Sequence, residues 1–189
     1  MLKATIGCRA HSGWAVAVTV AGGRAIERRR IELCDCLVSG SAQPYHAAAK
    51  LPLPEAHSYI RRCADISVAM AEQALRQLLA DLAARNCRAA RSIVLMGSGR
   101  LPGELAKTLA SHPLIHTAEG EFYRGVIADA FRRCGVPVYG VAERELCERL
   151  EEGAELGRDL GRPWRRDEKL CALAASQQKV QDLRLVLSL

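Results

Sequence analysis

At 189 residues, 49% hydrophobic and 25% charged, the chain has the make-up of an ordinary globular protein with length for one substantial core. No apolar run approaches the roughly 20 residues that span a bilayer. The net charge is +6, from 27 Lys and Arg against 21 Asp and Glu, which suits a phosphate-bearing partner, although an Ala- and Arg-rich composition produces the same balance without one. Arg9, His11 and Ser12 interrupt the stretch Met1 to Val20 where a signal peptide needs an unbroken apolar segment. The expectation is one cytoplasmic domain over residues 1–189, with no membrane association and no clear assignment for the tail 177–189.

In chain order, Lys3 to Cys8, Trp14 to Val20 and Ala25 to Leu33 read as three extended runs separated by turn signals at Ala10–Gly13 and Ala21–Gly23, an antiparallel meander. Gly40, Pro44, Pro52 and Pro54 mark 38–54 as a loop. From Glu55 to Ala84, Ile60, Cys63, Ala64, Val68, Ala71, Leu75, Leu78, Leu79 and Leu82 recur every three or four residues, the spacing of one helical face. Asn86 ends that helix, and Ser92 to Met96 is a short apolar run of buried-strand length closed by Gly97-Ser98-Gly99. A short helix over Pro102–Ala110 is followed by an interruption at His112 and Pro113. A second firm helix spans Glu119 to Cys134, with Gly135 placed to cap it. Val136–Val141 is a further strand, Glu143–Leu150 begins another helix, and Gly153, Gly157, Gly161 and Pro163 mark a flexible connection. Arg166 to Ser176 is helical in pattern. Three hairpin-linked strands followed by two reached through helical crossovers predict a five-stranded mixed α/β sheet with helices on its faces.

Eight cysteines lie scattered from Cys8 to Cys171 in a chain with no export signal, a pattern of reduced thiols. Cys34 and Cys36 form a CxC, and with no second CxxC or HxxxH as its partner no metal is expected.

Ile6-Gly7-Cys8-Arg9-Ala10-His11-Ser12-Gly13-Trp14-Ala15-Val16 is similar to the opening of RuvC-type Holliday junction resolvases, in which a strand ends in Gly-Ile-Asp-Pro-Gly and the next begins Thr-Gly-Trp or Thr-Gly-Tyr. Glu121-Phe122-Tyr123-Arg124-Gly125-Val126-Ile127-Ala128, with Gly135-Val136-Pro137-Val138-Tyr139, resembles that family's Arg-Gly-Val helix and Leu-Pro-Val strand. The resemblance covers most of residues 2 to 150. It implies a ribonuclease H-like sheet in the order 3-2-1-4-5, a nucleic-acid substrate, and a homodimer, since two-fold junctions suit two-fold proteins.

Such nucleases hold two divalent ions about 4 Å apart in a nest of carboxylates, and hard cations need oxygen ligands. The resemblance places the first acid at Cys8 and the second at Leu95 or Met96, none of which binds magnesium. Asp167-Glu168 or Asp182 resembles the acid of the family's final helix. Three readings stay open. In one, a degenerate domain binds structured or branched nucleic acid or serves as an assembly module. In another, a Mg²⁺-dependent nuclease draws on a relocated acidic site in which Asp167, Glu168 and one of Glu119 or Glu121 converge, with Asp182 a further candidate. In the third, a structural domain meets a protein partner.

Arg9, His11 and Ser12 in the first turn, Ser98 and Arg100 in the glycine-bearing loop, and Arg165 and Arg166 are the residues expected to meet phosphates; ordinary solvent-exposed positions explain them as well. Arg28-Arg29-Arg30 is a further basic cluster. Cys8 is either a reactive thiol or a structural one, Trp14 is expected in the core, and Trp164 on the surface.

Overall fold

The computed structural model describes residues 1–178 and 180–182. Strands β1 (Leu2–His11), β2 (Trp14–Ala21) and β3 (Arg24–Glu32) form the meander. Its first hairpin turns in two residues, Ser12 and Gly13; its second turns at Gly22 and Gly23, both at positive φ, the backbone that matches the right-handed twist of the flanking strands. Helix α1 (Pro44–Ala48) and the long α2 (Leu53–Ala84) follow, then β4 (Cys87–Met96), α3 (Leu105–Leu109), α4 (His112–Arg133) and β5 (Val138–Ala142). Two 3-10 turns lead into α5 (Leu150–Leu156), and a third precedes α6 (Arg166–Ser176). A two-residue strand β6 (Gln181–Asp182) pairs antiparallel with β5.

The sheet runs β3-β2-β1-β4-β5-β6, with β1, β4 and β5 parallel to one another and the meander antiparallel. Its first five strands have the ribonuclease H-like order. From Ala15 to Ala21 every β2 residue is buried, as a strand covered on both faces requires. On one face Ile6, Cys8, Ala15, Ala17 and Val94 pack against α2 and α4. On the other, Val16, Val18, Ile93, Leu95 and Val141 pack against α6. Leu75, Leu78 and Leu82 of α2 are fully buried, each contributing about 1.5–3 kcal/mol relative to exposure. No described helix is long and apolar enough to cross a membrane.

Several local expectations need correction. The segment 38–54 carries α1, whose Pro44 sits in the first turn, where a missing N–H costs nothing. His112 and Pro113 do not interrupt a helix but start α4, for the same reason. Strand β4 begins five residues earlier than its apolar run, because Cys87 to Arg91 pair with the start of β1. Trp14 is half-buried rather than in the core, and Trp164 is half-buried rather than exposed, its indole N–H donating to the Gly153 carbonyl at 2.9 Å.

Candidate functional site

Side-chain alternation along β1 decides what reaches each face. Cys8 points into the α2/α4 core and is fully buried, whereas Leu95, also buried, faces α6. Met96, the other position that the resemblance allows for the second acid, is half-buried against the same core as Cys8, so Cys8 and Met96 share a face and Leu95 lies on the opposite one. Burial pushes the Cys8 thiol far above its ordinary range, so it holds its proton and is no nucleophile.

On the α6 face, the end of β1 presents Arg9 and His11. The Arg9 guanidinium takes Glu143 in a fork, Nε to Oε2 and Nη2 to Oε1, both at 3.0 Å, and donates from Nη1 to Asp167 Oδ1 at 2.8 Å. His11 Nε2 lies 2.9 Å from Asp167 Oδ2. A carboxylate only accepts, so Nε2 carries the ring proton and donates; its 3.0 Å approach to Arg9 Nη1 is then proximity between two donors. Glu143 is supplied by the turn after β5 and Asp167 by the first turn of α6. All four oxygens of the two acids thus have a nitrogen against them.

Burial lowers the His11 pKa, Asp167 opposes that and Arg9 reinforces it; the net result is below the ordinary imidazole value. The unfolded chain, with its histidine near 6.5, therefore takes up this proton more readily than the folded one. His11's contribution to stability is full above about pH 6.5 and is lost as pH falls through the lower folded value. Urea unfolding across pH 5 to 8 should show a steeper acid loss for wild type than for His11→Gln; parallel profiles would refute the shift.

His11 also stacks on Trp14, ring centroids 4.1 Å apart, while the Arg30 guanidinium lies 3.9 Å from the Trp14 ring centroid. Because β2 runs between β1 and β3, the two approach the indole from opposite sides, giving a row His11, Trp14, Arg30 across the meander. A groove of about 360 Å³ runs beside this row, lined by Trp14, Arg28, Arg30, Arg165, Asp167 and Glu168 among others. Arg28 is committed to protein, donating to the carbonyls of Gly161, Arg162 and Pro163. Arg165 and Arg166 are exposed, the latter 3.8 Å from Glu143. Glu168 does not face Asp167's partners but accepts the Arg165 backbone N–H at 2.8 Å, capping α6.

The remaining expected residues lie elsewhere. Ser12 is exposed in the first hairpin turn, and Ser98 and Arg100 are exposed in the loop after β4. Glu121 pairs with Arg124 at 2.8 Å on α4, and Glu119 also belongs to α4, so the sheet separates both from Asp167. The backbone of Asp182 pairs with Tyr139 on β5, and its side chain lies outside the described residues.

No protein-family model matches the chain, and no curated protein sequence does. Among solved structures, the chain is similar to Thermus thermophilus RuvC in complex with Holliday junction substrate, at 13% identity and a TM-score of 0.48, over 91% of this chain and 90% of that one. It is also similar to a second Thermus thermophilus RuvC structure, at 14% identity and a TM-score of 0.46, with the same coverage.

Two groups escaped sequence reasoning. Glu143 reads in the sequence only as the first residue of an expected helix, which the structure replaces with 3-10 turns, and no local signal links it to Arg9, which is 134 residues away. The second group, His46, His112 and His116, comes together at the start of α4, each offering a ring nitrogen within 4.8 Å of the others. His112-Pro113-Leu114-Ile115-His116 is itself an HxxxH spacing, overlooked because its first two residues look like a break between helices.

Proposed function

We propose that this chain is a RuvC-like domain that binds structured or branched nucleic acid along the groove beside Trp14 and does not cut it. The observation that carries this reading is the Arg9 guanidinium lodged between Glu143 and Asp167. A two-metal centre needs several unshared carboxylate oxygens. Here two acids meet, and Arg9 and His11 engage every oxygen they have. The protein's own guanidinium already neutralises the two acids, and the donor set does not fit magnesium.

Binding rests on charge rather than chemistry. Arg30 and Arg165 line the groove and are exposed, Arg30 in a surface pair with Glu32, and Arg166 is exposed next to Arg165 in the chain; the net charge of +6 favours a polyanion. Each phosphate neutralised releases counterions, with a salt slope of about 0.9 per contact on duplex DNA. Three such contacts give a slope on the order of −3.

The test is fluorescence anisotropy of the full chain with a labelled four-way junction and a duplex of equal length, across a salt series, followed by incubation with Mg²⁺ or Mn²⁺. Expected are salt-dependent binding, intact DNA, and at least tenfold weaker binding in the Arg165→Ala/Arg166→Ala double variant. Metal-dependent incision abolished by Asp167→Asn, or failure to bind either DNA at low salt, would overturn the proposal.

A further inference from the structure

We propose that His46, His112 and His116 form a binding site for a zinc-class divalent cation, with the fourth coordination position open to solvent. The site lies on the α1/α4 side of the sheet, away from Arg9 and Asp167, and is independent of the nucleic-acid reading.

The ligand pair begins in the sequence. Residues four apart on a helix stack on one face, so His112 and His116 present two imidazoles from the first turns of α4. Their ring centroids are 4.4 Å apart. Helix α1 brings His46 to the same place, its ring centroid 4.7 Å from that of His116 and 5.5 Å from that of His112. One nitrogen from each ring lies within 4.8 Å of the other two. Zinc–nitrogen bonds of about 2.0–2.1 Å require nitrogens roughly 3.4 Å apart, a contraction that side-chain rotation in the two exposed rings supplies. Neither His112 nor His116 makes a hydrogen bond to protein among the described residues, so both rings turn without breaking one.

The third ligand is held in place. Glu119, one turn beyond His116, is 3% exposed. Its Oε1 accepts the backbone N–H groups of Tyr45 and His46 at 2.9 and 3.0 Å and lies 3.2 Å from His46 Nδ1. A carboxylate accepts only, so Nδ1 carries the proton and Nε2 keeps its lone pair for a cation. A carboxylate behind a ligating imidazole is the usual means of setting ring orientation and tautomer at metal sites. The second oxygen of Glu119, Oε2, is buried with no partner, and no Lys or Arg pairs with this acid among the described residues. A buried carboxylate without a balancing cation is costly; a divalent ion on the far side of His46 supplies that charge.

The donor set selects the ion. Three imidazoles are poor ligands for Mg²⁺ and Ca²⁺, which prefer oxygen, and good ones for Zn²⁺. Three protein ligands and an exposed rim leave one position for water or an anionic group from solution.

The experiment uses the full chain stripped with a chelator and titrated with Zn²⁺ by calorimetry, with Co²⁺ as a spectroscopic substitute. One ion per chain, a raised Tm, and a visible Co²⁺ spectrum without thiolate charge-transfer bands are expected. His112→Ala/His116→Ala should lose at least a hundredfold in affinity while keeping its metal-free Tm. Glu119→Gln should lose about 10–100-fold, its fold checked by urea unfolding without metal. Undiminished affinity in the double histidine variant, a thiolate spectrum removed by Cys34→Ser/Cys36→Ser, or no binding at about 100 µM Zn²⁺ would each overturn the site.

Discussion

Gly7→Ala is expected to destabilise the protein by about 3 kcal/mol or more, at the upper end for overpacking a core. A Cβ built on Gly7 would lie 1.9 Å from the Cys171 carbonyl oxygen, 2.8 Å from its carbon and 3.0 Å from the Ala175 nitrogen. All three atoms are backbone of α6, so no rotamer change relieves the clash. The helix itself must lift, and with it the fully buried Leu170, Cys171, Ala172 and Ala174, which pack against Val16, Val18 and Ile93. For a chain of this length each kcal/mol shifts Tm by about 2–4 °C, so a fall on the order of 10 °C is expected by scanning calorimetry. Gly23→Ala is the control: its φ is +78 and nothing lies within 4 Å, so its cost is backbone strain alone, about 1 kcal/mol. Equal effects in the two variants would mean that α6 does not seat on β1 as described.

Arg9→Met should cost about 2 kcal/mol and, in a His112→Ala/His116→Ala background that lacks the histidine cluster, convert the protein from one indifferent to Mn²⁺ into one stabilised by it. Methionine keeps the stem and removes the charge, leaving Glu143 and Asp167 face to face without their shared cation. Breaking a fully buried pair costs about 3–5 kcal/mol. The three side chains here are 22–28% exposed, so solvent screening reduces the figure. In that background millimolar Mn²⁺ should restore part of the lost Tm in the Arg9 variant, because three carboxylate oxygens have been released, and leave the parent that keeps Arg9 unmoved. Stabilisation of the Arg9-containing parent by Mn²⁺ to the same extent would contradict the view that the guanidinium already serves as the cation between Glu143 and Asp167. A variant as stable as wild type would show that the Arg9 bridge contributes little.

Elements whose pattern is local were legible. The apolar period of α2 located that helix to within two residues of its start, and the turn signals at Ala10–Gly13 and Ala21–Gly23 marked both hairpins. The succession of strands and crossovers led to a mixed five-stranded sheet, its order came from the resemblance, and the two-residue β6 at its edge was not expected. What escaped depends on parity and on distance along the chain. Leu95 and Met96 can each be aligned with the second acid, but a strand's two-residue period decides which face each side chain reaches, and only Met96 shares the face of Cys8. Arg9, one residue on from Cys8, reaches the site instead. Glu143 and His46 join their partners only through tertiary packing. His112 and His116 were visible as a spacing, but a proline between them reads equally as a break or as a first turn.

The placement of Trp14 limits what a strand of nucleic acid can find in the groove. An indole flanked by an imidazole on its β1 side and a guanidinium on its β3 side has no bare surface on which a nucleobase could settle. A bound polymer is then gripped by its phosphodiester ribbon, with no letter of its message inspected there. Junctions of unrelated base composition should therefore be held with equal strength.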